Sequence, residues 1–450
     1  MTTPILDFVR AYAQTDKVRF HMPGHKGKPV LGPEPLDITE IPGADVLYRA
    51  KGIIRESERN ASGLFGSGIT VYSCEGATLA VKAMLALAQK KATADRHKKN
   101  THILAFRNVH SSFVYGAALL DLDVSWIYPD TVTDSLVSCP VSPASVEKAI
   151  LALHDKPDAL FVTSPDYLGC MQDLRALKAL CRKYGMMLLV DNAHGAYLKF
   201  DGSSLHPMDA FADMCADSAH KTLGVLTGGA YLHLSREISE RFTEDEINGV
   251  FAMFASTSPS YLILQSLDAA NLSLAGSYPE QLKACEKAVQ KAKNELTDSG
   301  FSILPGEALK ITIRTSEYGY RGDELASLLS RDGIECEYSD ESFIVFMVSP
   351  FNKKTDLVKL VRALKDLEKK PALPVHRHEI QNRQTALRIR EALFANTECL
   401  EVDLCEGRIF SGAVMACPPA VPILICGEII SKEDIAIMKS YGISTCCVVR

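Results

Sequence analysis

The peptide DSAHKTLGVLTGG, Asp217–Gly229, sets a lysine behind a serine and a histidine and just before an apolar run. A lysine amine condenses with an aldehyde to an imine when a partly dry site and polar neighbours bring its neutral form within reach. Ser218 and His220 stand close enough in sequence to Lys221 to contact a phosphate or that imine. Upstream, MMLLVDNAHG places Asp191 at the end of an apolar strand, the edge at which open parallel sheets bind ligands. A carboxylate there can keep a bound pyridine nitrogen protonated. A loop lysine can also be merely solvated and a strand-end aspartate merely a helix cap. It is their joint occurrence that favours chemistry.

Two further segments fit the same site. In YSCEGATLAVKAML, Gly76, Ala77 and Thr78 lie where the strand Ile69–Ser73 turns into a helix. Backbone N–H groups at a helix N-terminus, with the Thr78 hydroxyl, make a cup for a phosphate. In FRNVHSSF, His110 follows the strand His102–Phe106, and an imidazole at that edge can stack on an aromatic ring. Phosphate cup, stacking histidine, ring aspartate and imine lysine, in that order, are the groups that pyridoxal 5'-phosphate (PLP) requires.

Holding these groups at one edge calls for alternating strands and helices. HILAF (His102–Phe106), ALFVTS (Ala159–Ser164), MMLLVD (Met186–Asp191) and GGAYLHL (Gly228–Leu234) read as buried strands. Ala77–Lys91 and Leu174–Gly185 have helical spacing and basic C-terminal ends, as the helix dipole favours. The expectation is an α/β fold, a mainly parallel sheet with helices on both faces. Residues 1–60 read as an N-terminal arm with a helix at Ile5–Tyr12, 61–300 as a large PLP-binding domain, 301–370 as a small α+β domain, and 371–450 as a C-terminal domain with a helix at Ile380–Leu393. One long helical stretch is expected from Ser260 onward.

The bulk composition excludes several classes. The chain has 450 residues, net charge −6, 47% hydrophobic and 23% charged residues, so no basic footprint for nucleic acid is present. The N-terminus lacks an apolar signal region, and no run of apolar residues is long enough for a membrane span. A cytoplasmic protein is expected, with its 13 scattered cysteines mostly reduced and buried. His21 and His25 in HMPGHKGK have helical spacing, but Pro23 and Gly24 between them break a helix. That run reads as a structural arm, and no metal site is expected.

Taken together, HMPGHK, TSPDYLG, DNAHGA, SAHKTL and STSPSY, with the tail motifs EGRI and CPPAVPILICGE, resemble the ornithine/lysine/arginine decarboxylase family of fold-type-I PLP enzymes. The resemblance covers nearly the whole chain and is to compact members without an N-terminal wing domain. It implies that Lys221 carries PLP, Asp191 pairs with the pyridine nitrogen, and His110 stacks on the ring. Ala193, helped by His194, would pack the other face; Gly76, Ala77, Thr78 and Ser218 would hold the phosphate, and His220 would contact phosphate or ring. Thr257 would reach the phosphate from a partner subunit, which implies a homodimer with shared active sites.

The implied reaction is decarboxylation of a cationic amino acid (arginine, lysine or ornithine) to its amine in polyamine biosynthesis. Lys221, His110, Asp191 and His220 would be the catalytic groups. Another PLP reaction such as transamination, or a catalytically weak regulatory relative, stays open as an alternative. The chain departs from the family pattern at Glu75, Ala77, Asp166, Leu168, Asn192, Gly224 and Gly228. These positions bear on substrate choice and activity.

Overall fold

The computed structural model describes residues 1–96, 100–132, 134–374, 383–412, 415–416 and 420–450. Its contacts divide the chain into two compact units, Met1–His97 with Met187–Gln281, and Lys98–Met186 with Leu282–Arg450. Seven strands carry the chemistry-bearing segments: β1 (Ile69–Ser73), β2 (His102–Phe106), β3 (Asp123–Ile127), β4 (Ala159–Thr163), β5 (Met187–Asp191), β6 (Met214–Asp217) and β7 (Ala230–Leu234).

In the first unit the strand order is β1-β7-β6-β5. β5 and β6 run parallel, while β7 is antiparallel to both β6 and β1. Every residue of β5, β6 and β7 is buried, which is why β5 and β7 read as largely apolar runs rather than alternating ones. In the second unit β4, β2 and β3 lie side by side, all parallel. The strands expected from sequence form within a residue or two of their anticipated ends. β3 and β6 are additions. β6 is only four residues long and β3 is only partly buried, so neither gives a strong apolar signal.

The N-terminal helix forms at Pro4–Ala13 and buries Ile5, Val9 and Tyr12. Its opening is capped from a distance: Ile5 and Leu6 N–H donate to Asp268 Oδ2 at 2.9 and 3.0 Å. The other oxygen of Asp268 accepts Ser57 Oγ at 2.5 Å. Asp268 lies in the helix Tyr261–Ala275, the first half of what the sequence suggests is one long helix. The chain breaks at Gly276, whose backbone leaves the helical region, and restarts as Tyr278–Asp298. Pro279 sits at the second position of the new helix, where its missing N–H costs nothing.

The second unit adds β8 (Ser302–Ile303), β9 (Lys310–Arg314), β10 (Tyr338–Ser339) and β11 (Phe343–Met347), an antiparallel sheet in the order β10-β11-β9-β8. Ile311, Ile313, Leu325, Ile344 and Leu364 form the core beneath it. The C-terminal segment contributes β12 (Thr397–Glu401), β13 (Met415–Ala416), β14 (Val421–Pro422) and β15 (Thr445–Val449), paired β12 with β15 and β13 with β14. A buried ion pair anchors it to β2's end: Arg107 donates to Pro422 O and Ile423 O at 3.1 and 3.0 Å and meets Glu428 at 3.2 Å.

Of the helix expected at Ile380–Leu393, residues 380–382 lie outside the described residues, as do 417–419 of the CPPAVP motif. The helix observed is shorter, Ile389–Phe394. Residues just before it are drawn into strand-like bonds instead, Ile429 N–H to Gln384 O and Ala386 N–H to Gly427 O. Cys399 and Cys447, expected as reduced thiols, face each other across β12 and β15 and are joined as a disulfide. Among the described residues no helix is long and apolar enough to cross a membrane.

Asp268 thus satisfies two helix-end donors and a buried hydroxyl at once. Asp268→Ala is expected to cost about 1–3 kcal/mol of stability, read as a lower urea midpoint. Amide exchange at Ile5 and Leu6 should accelerate in the same variant.

Candidate active site

Parallel pairing of β5 with β6 delivers two chain ends to one edge of the first unit. β5 ends in Asp191, and β6 ends in Asp217 and leads into Ser218 and the helical turn Ala219–Thr222. The sequence suggests a loop around Lys221. The turn forms because Lys221 N–H reaches Ser218 O at 3.0 Å and Leu223 N–H reaches Ala219 O at 2.9 Å. It presents Lys221 half-buried, with Ser218 buried beneath it.

Lys221 Nζ lies 3.0 Å from His194 Nε2. Lys221 as an ammonium donates in this contact, and His194 accepts with a neutral ring. A basic nitrogen beside the amine can take the proton that the lysine must lose before it acts as a nucleophile. Sequence reasoning assigned His194 only a packing role. Its position three residues after Asp191 was the signal that it shares the edge.

His220 is oriented by Gly229, whose carbonyl takes both its backbone N–H at 3.2 Å and its ring Nδ1 at 3.0 Å. Nδ1 therefore carries the proton, which leaves Nε2 the basic ring nitrogen. Ala193 is half-buried, and its N–H donates to Asp191 Oδ1 at 3.2 Å.

The expected phosphate cup opens the helix Gly76–Arg96. Ser73 Oγ accepts Glu75 N–H at 3.1 Å and donates to Gly76 O at 2.9 Å, and Gly76 N–H reaches Gly228 O at 2.7 Å. Gly76 adopts φ +68°, the left-handed region that favours glycine. With Gly76 so committed, Ala77 and Thr78 supply the next N–H groups of the helix end, which the helix's own ladder does not use. Gly228 departs from the family pattern for a visible reason. A Cβ there would stand 2.9 Å from Cys74 O. Glu75, another departure, accepts Ser256 N–H at 2.7 Å and so ties down the exposed segment that carries Thr257.

His110, Asp166 and Leu168 belong to the second unit. His110 caps the helix Ser111–Leu120, its Nδ1 accepting Ser112 N–H at 3.1 Å. Asp166 is fully buried, accepting Cys170 N–H at 2.9 Å and the Ser138 hydroxyl, while its carbonyl takes Lys310 Nζ at 2.9 Å. Leu168 is buried too and its carbonyl accepts Thr312 Oγ1 at 2.8 Å. Asp166 and Leu168, read from sequence as departures at the cofactor's edge, are thus engaged by Cys170, Ser138 and two β9 residues. In the arm, His21 pairs with Tyr12 Oη at 2.8 Å and His25 with Asp37 at 3.2 Å.

The donor set in the first unit fits PLP by its chemistry: a half-buried amine beside a base, a buried strand-end carboxylate, and a helix N-terminus with a hydroxyl. Asp191 is buried, and desolvation pushes its carboxyl up to about 6, with the charge of Asp217 adding to the rise and Ala193 N–H and Lys221 opposing it. A carboxylate raised above its unfolded value makes the folded state lose stability as pH climbs from about 4 to 6. Asp191→Asn in the cofactor-free protein should therefore match the wild type near pH 4. By pH 7 it should exceed it by about 3 kcal/mol, checked by melting curves across pH.

Residues 3–315 match the family described as Orn/Lys/Arg decarboxylase, major domain. The arginine decarboxylase of Bacillus subtilis (strain 168) is 29% identical, over 96% of this chain and 92% of its own length. The arginine decarboxylase of Halalkalibacterium halodurans is also 29% identical, over 97% and 93%. The solved structure of the Francisella novicida lysine decarboxylase superposes with a TM-score of 0.81 at 16% identity, over 99% of this chain and 79% of that one. At that identity the likeness shows the fold, that of the fold-type-I PLP enzymes. With the family match spanning most of its length, the chain belongs to the Orn/Lys/Arg decarboxylase family, PLP-dependent decarboxylases of cationic amino acids.

Proposed function

We propose that the chain decarboxylates arginine, using PLP held on Lys221 in a homodimer. The observation that carries the chemistry is the contact of Lys221 with His194 at 3.0 Å. The choice of arginine rests on near-full-length similarity to proteins named arginine decarboxylase. When bound, PLP supplies a pyridinium ring that accepts the electron pair left behind as the carboxylate departs. His194 takes the ammonium proton of Lys221 and frees its amine. Asp191, buried at the end of β5, would pair with the ring nitrogen. Thr78, Ala77, Gly76 and Ser218 would hold the phosphate. His110 would stack on the ring and Ala193 would pack against it. Lys221 and His220 would be the proton donors to the substrate carbon.

A homodimer is supported by apolar side chains left bare on the arm. Phe20, Val30 and Leu31 are 93%, 80% and 89% exposed, more than a monomer's surface usually offers in one stretch. Thr257 is exposed as well, as a residue serving a partner's site would be in an isolated protomer. Location in the cytoplasm and a place in polyamine biosynthesis belong to the same proposal.

Purified, PLP-loaded protein supplied with arginine, lysine or ornithine should yield the guanidino amine in preference to either diamine, read by mass spectrometry. Lys221→Ala should abolish amine formation and the visible absorbance of the lysine-bound cofactor. Amine production surviving in that variant would sink the assignment of Lys221, and a keto acid in place of an amine would sink decarboxylation. The double variant Phe20→Asp, Leu31→Asp is expected to sediment as a monomer where the wild type sediments as a dimer.

A further inference from the structure

Beneath the edge that carries Asp191 and Lys221 lies an ionisable group that the reaction as described does not use. Asp217, the last residue of β6, is fully buried, as are Asn192, His206 and His233 around it. Its Oδ1 accepts Asn192 Nδ2 at 2.7 Å. Its Oδ2 accepts His206 Nε2 at 2.9 Å and lies 3.3 Å from His233 Nε2.

The histidine tautomers follow from their other contacts. His206 Nδ1 accepts Met208 N–H at 3.2 Å, so its proton sits on Nε2. His233 Nδ1 lies 2.8 Å from Thr70 Oγ1 and can accept that hydroxyl, which directs its Nε2–H at Asp217. Both rings pack on Phe65, centroids 5.5 and 4.3 Å away. The three side chains stand close enough to hold an ion, but a protonated Nε2 offers no lone pair to a metal. The cluster is a carboxylate gripped by oriented donors.

We propose that Asp217 is a positioning residue that fixes Asp191 through Asn192. β5 and β6 pair with Asp191 opposite Ala216, and the ladder's last bond is Asn192 N–H to Ala216 O at 2.9 Å. Past it the backbone turns away, with Gly195 N–H bonding back to Asn192 O at 2.8 Å. The Asn192 side chain adds a buried tether across the strand ends, and the residue it tethers to immediately precedes Ser218. One immobile carboxylate therefore sets the end of the strand bearing Asp191 and the start of the turn bearing Lys221. A buried carboxylate is costly unless its oxygens are bonded, and here amide and imidazole donors hold it ionised. The negative charge of Asp217 also adds to the proton affinity of Asp191.

The inference rests on the PLP reading above, and its test separates the two. The quantities measured are the PLP dissociation constant of the cofactor-stripped protein and the melting temperature of that same stripped form. Asn192→Ala deletes the tether while Asp217 keeps its bond from His206 and its contact with His233. It should weaken PLP binding about tenfold, the effect of one hydrogen bond to a charged group, with the melting temperature unchanged. A core residue without a positioning role would do the reverse.

Asp217→Asn should also weaken PLP. The exchanged pair Asn192→Asp with Asp217→Asn puts acid and amide back opposite each other, with the new amide oxygen facing the histidines. It should recover affinity to within roughly threefold of wild type. Wild-type affinity in Asn192→Ala, or an exchanged pair no better than Asp217→Asn alone, would overturn the proposal while leaving the PLP reading intact. Should Asp217→Asn not fold, Asn192→Ala compared with the exchanged pair decides. A wild-type protein that takes up no PLP would overturn both.

Discussion

The parallel pairing of β5 with β6 is the constraint from which the rest of the site follows. Two parallel strands end at the same edge, so an acid closing the first and a lysine just beyond the second come to one edge although thirty positions separate them. Nothing local could do this. Asp191 is placed by a strand whose residues are all buried, and Lys221 by one helical turn hung from the next strand. His194 then reaches Lys221 because the backbone turns directly after Asn192.

Once those strand ends are fixed, the remaining features of the first unit serve to hold them. Gly228 gives its carbonyl to Gly76 and its neighbour Gly229 gives its own to His220. The segment after Lys221 thereby frames both the phosphate cup and the histidine beside the lysine. At Gly228 the backbone passes so close to Cys74 O that a side chain would obstruct it. Glu75, one of the departures noted in the sequence, accepts the backbone N–H of Ser256.

The unit carries several buried acids, and each has been given donors. Asp268 accepts two helix-end N–H groups and a hydroxyl, Asp217 accepts an amide and one imidazole with a second imidazole 3.3 Å away, and Asp191 accepts one backbone N–H. Asp191 is the least well supplied, and its carboxyl is pushed up accordingly. A carboxylate short of donors has most to gain from a protonated ring nitrogen, which is the role proposed for Asp191.

Much of this was legible in the chain itself. Unbroken apolar runs marked β1, β2, β4, β5 and β7, because a strand buried on both faces has no need to alternate. The residue types at Lys221, Asp191, Ala77 and Thr78 suggested the chemistry proposed for them, and the motifs around them pointed to the family that the match shows. The short β6 and the partly exposed β3 left too little pattern to read, and the break that Gly276 and Pro279 make was bridged in the reading by the long helical runs flanking it. What only tertiary structure decided is which groups touch. The Lys221–His194 contact, the capping of Ile5 by Asp268 and the grip of His206 and His233 on Asp217 join residues far apart in sequence. Sequence determines which functional groups are available and which segments are buried, since those depend on side-chain type and local period. Pairings across the fold depend on strand order and register, which no local pattern encodes.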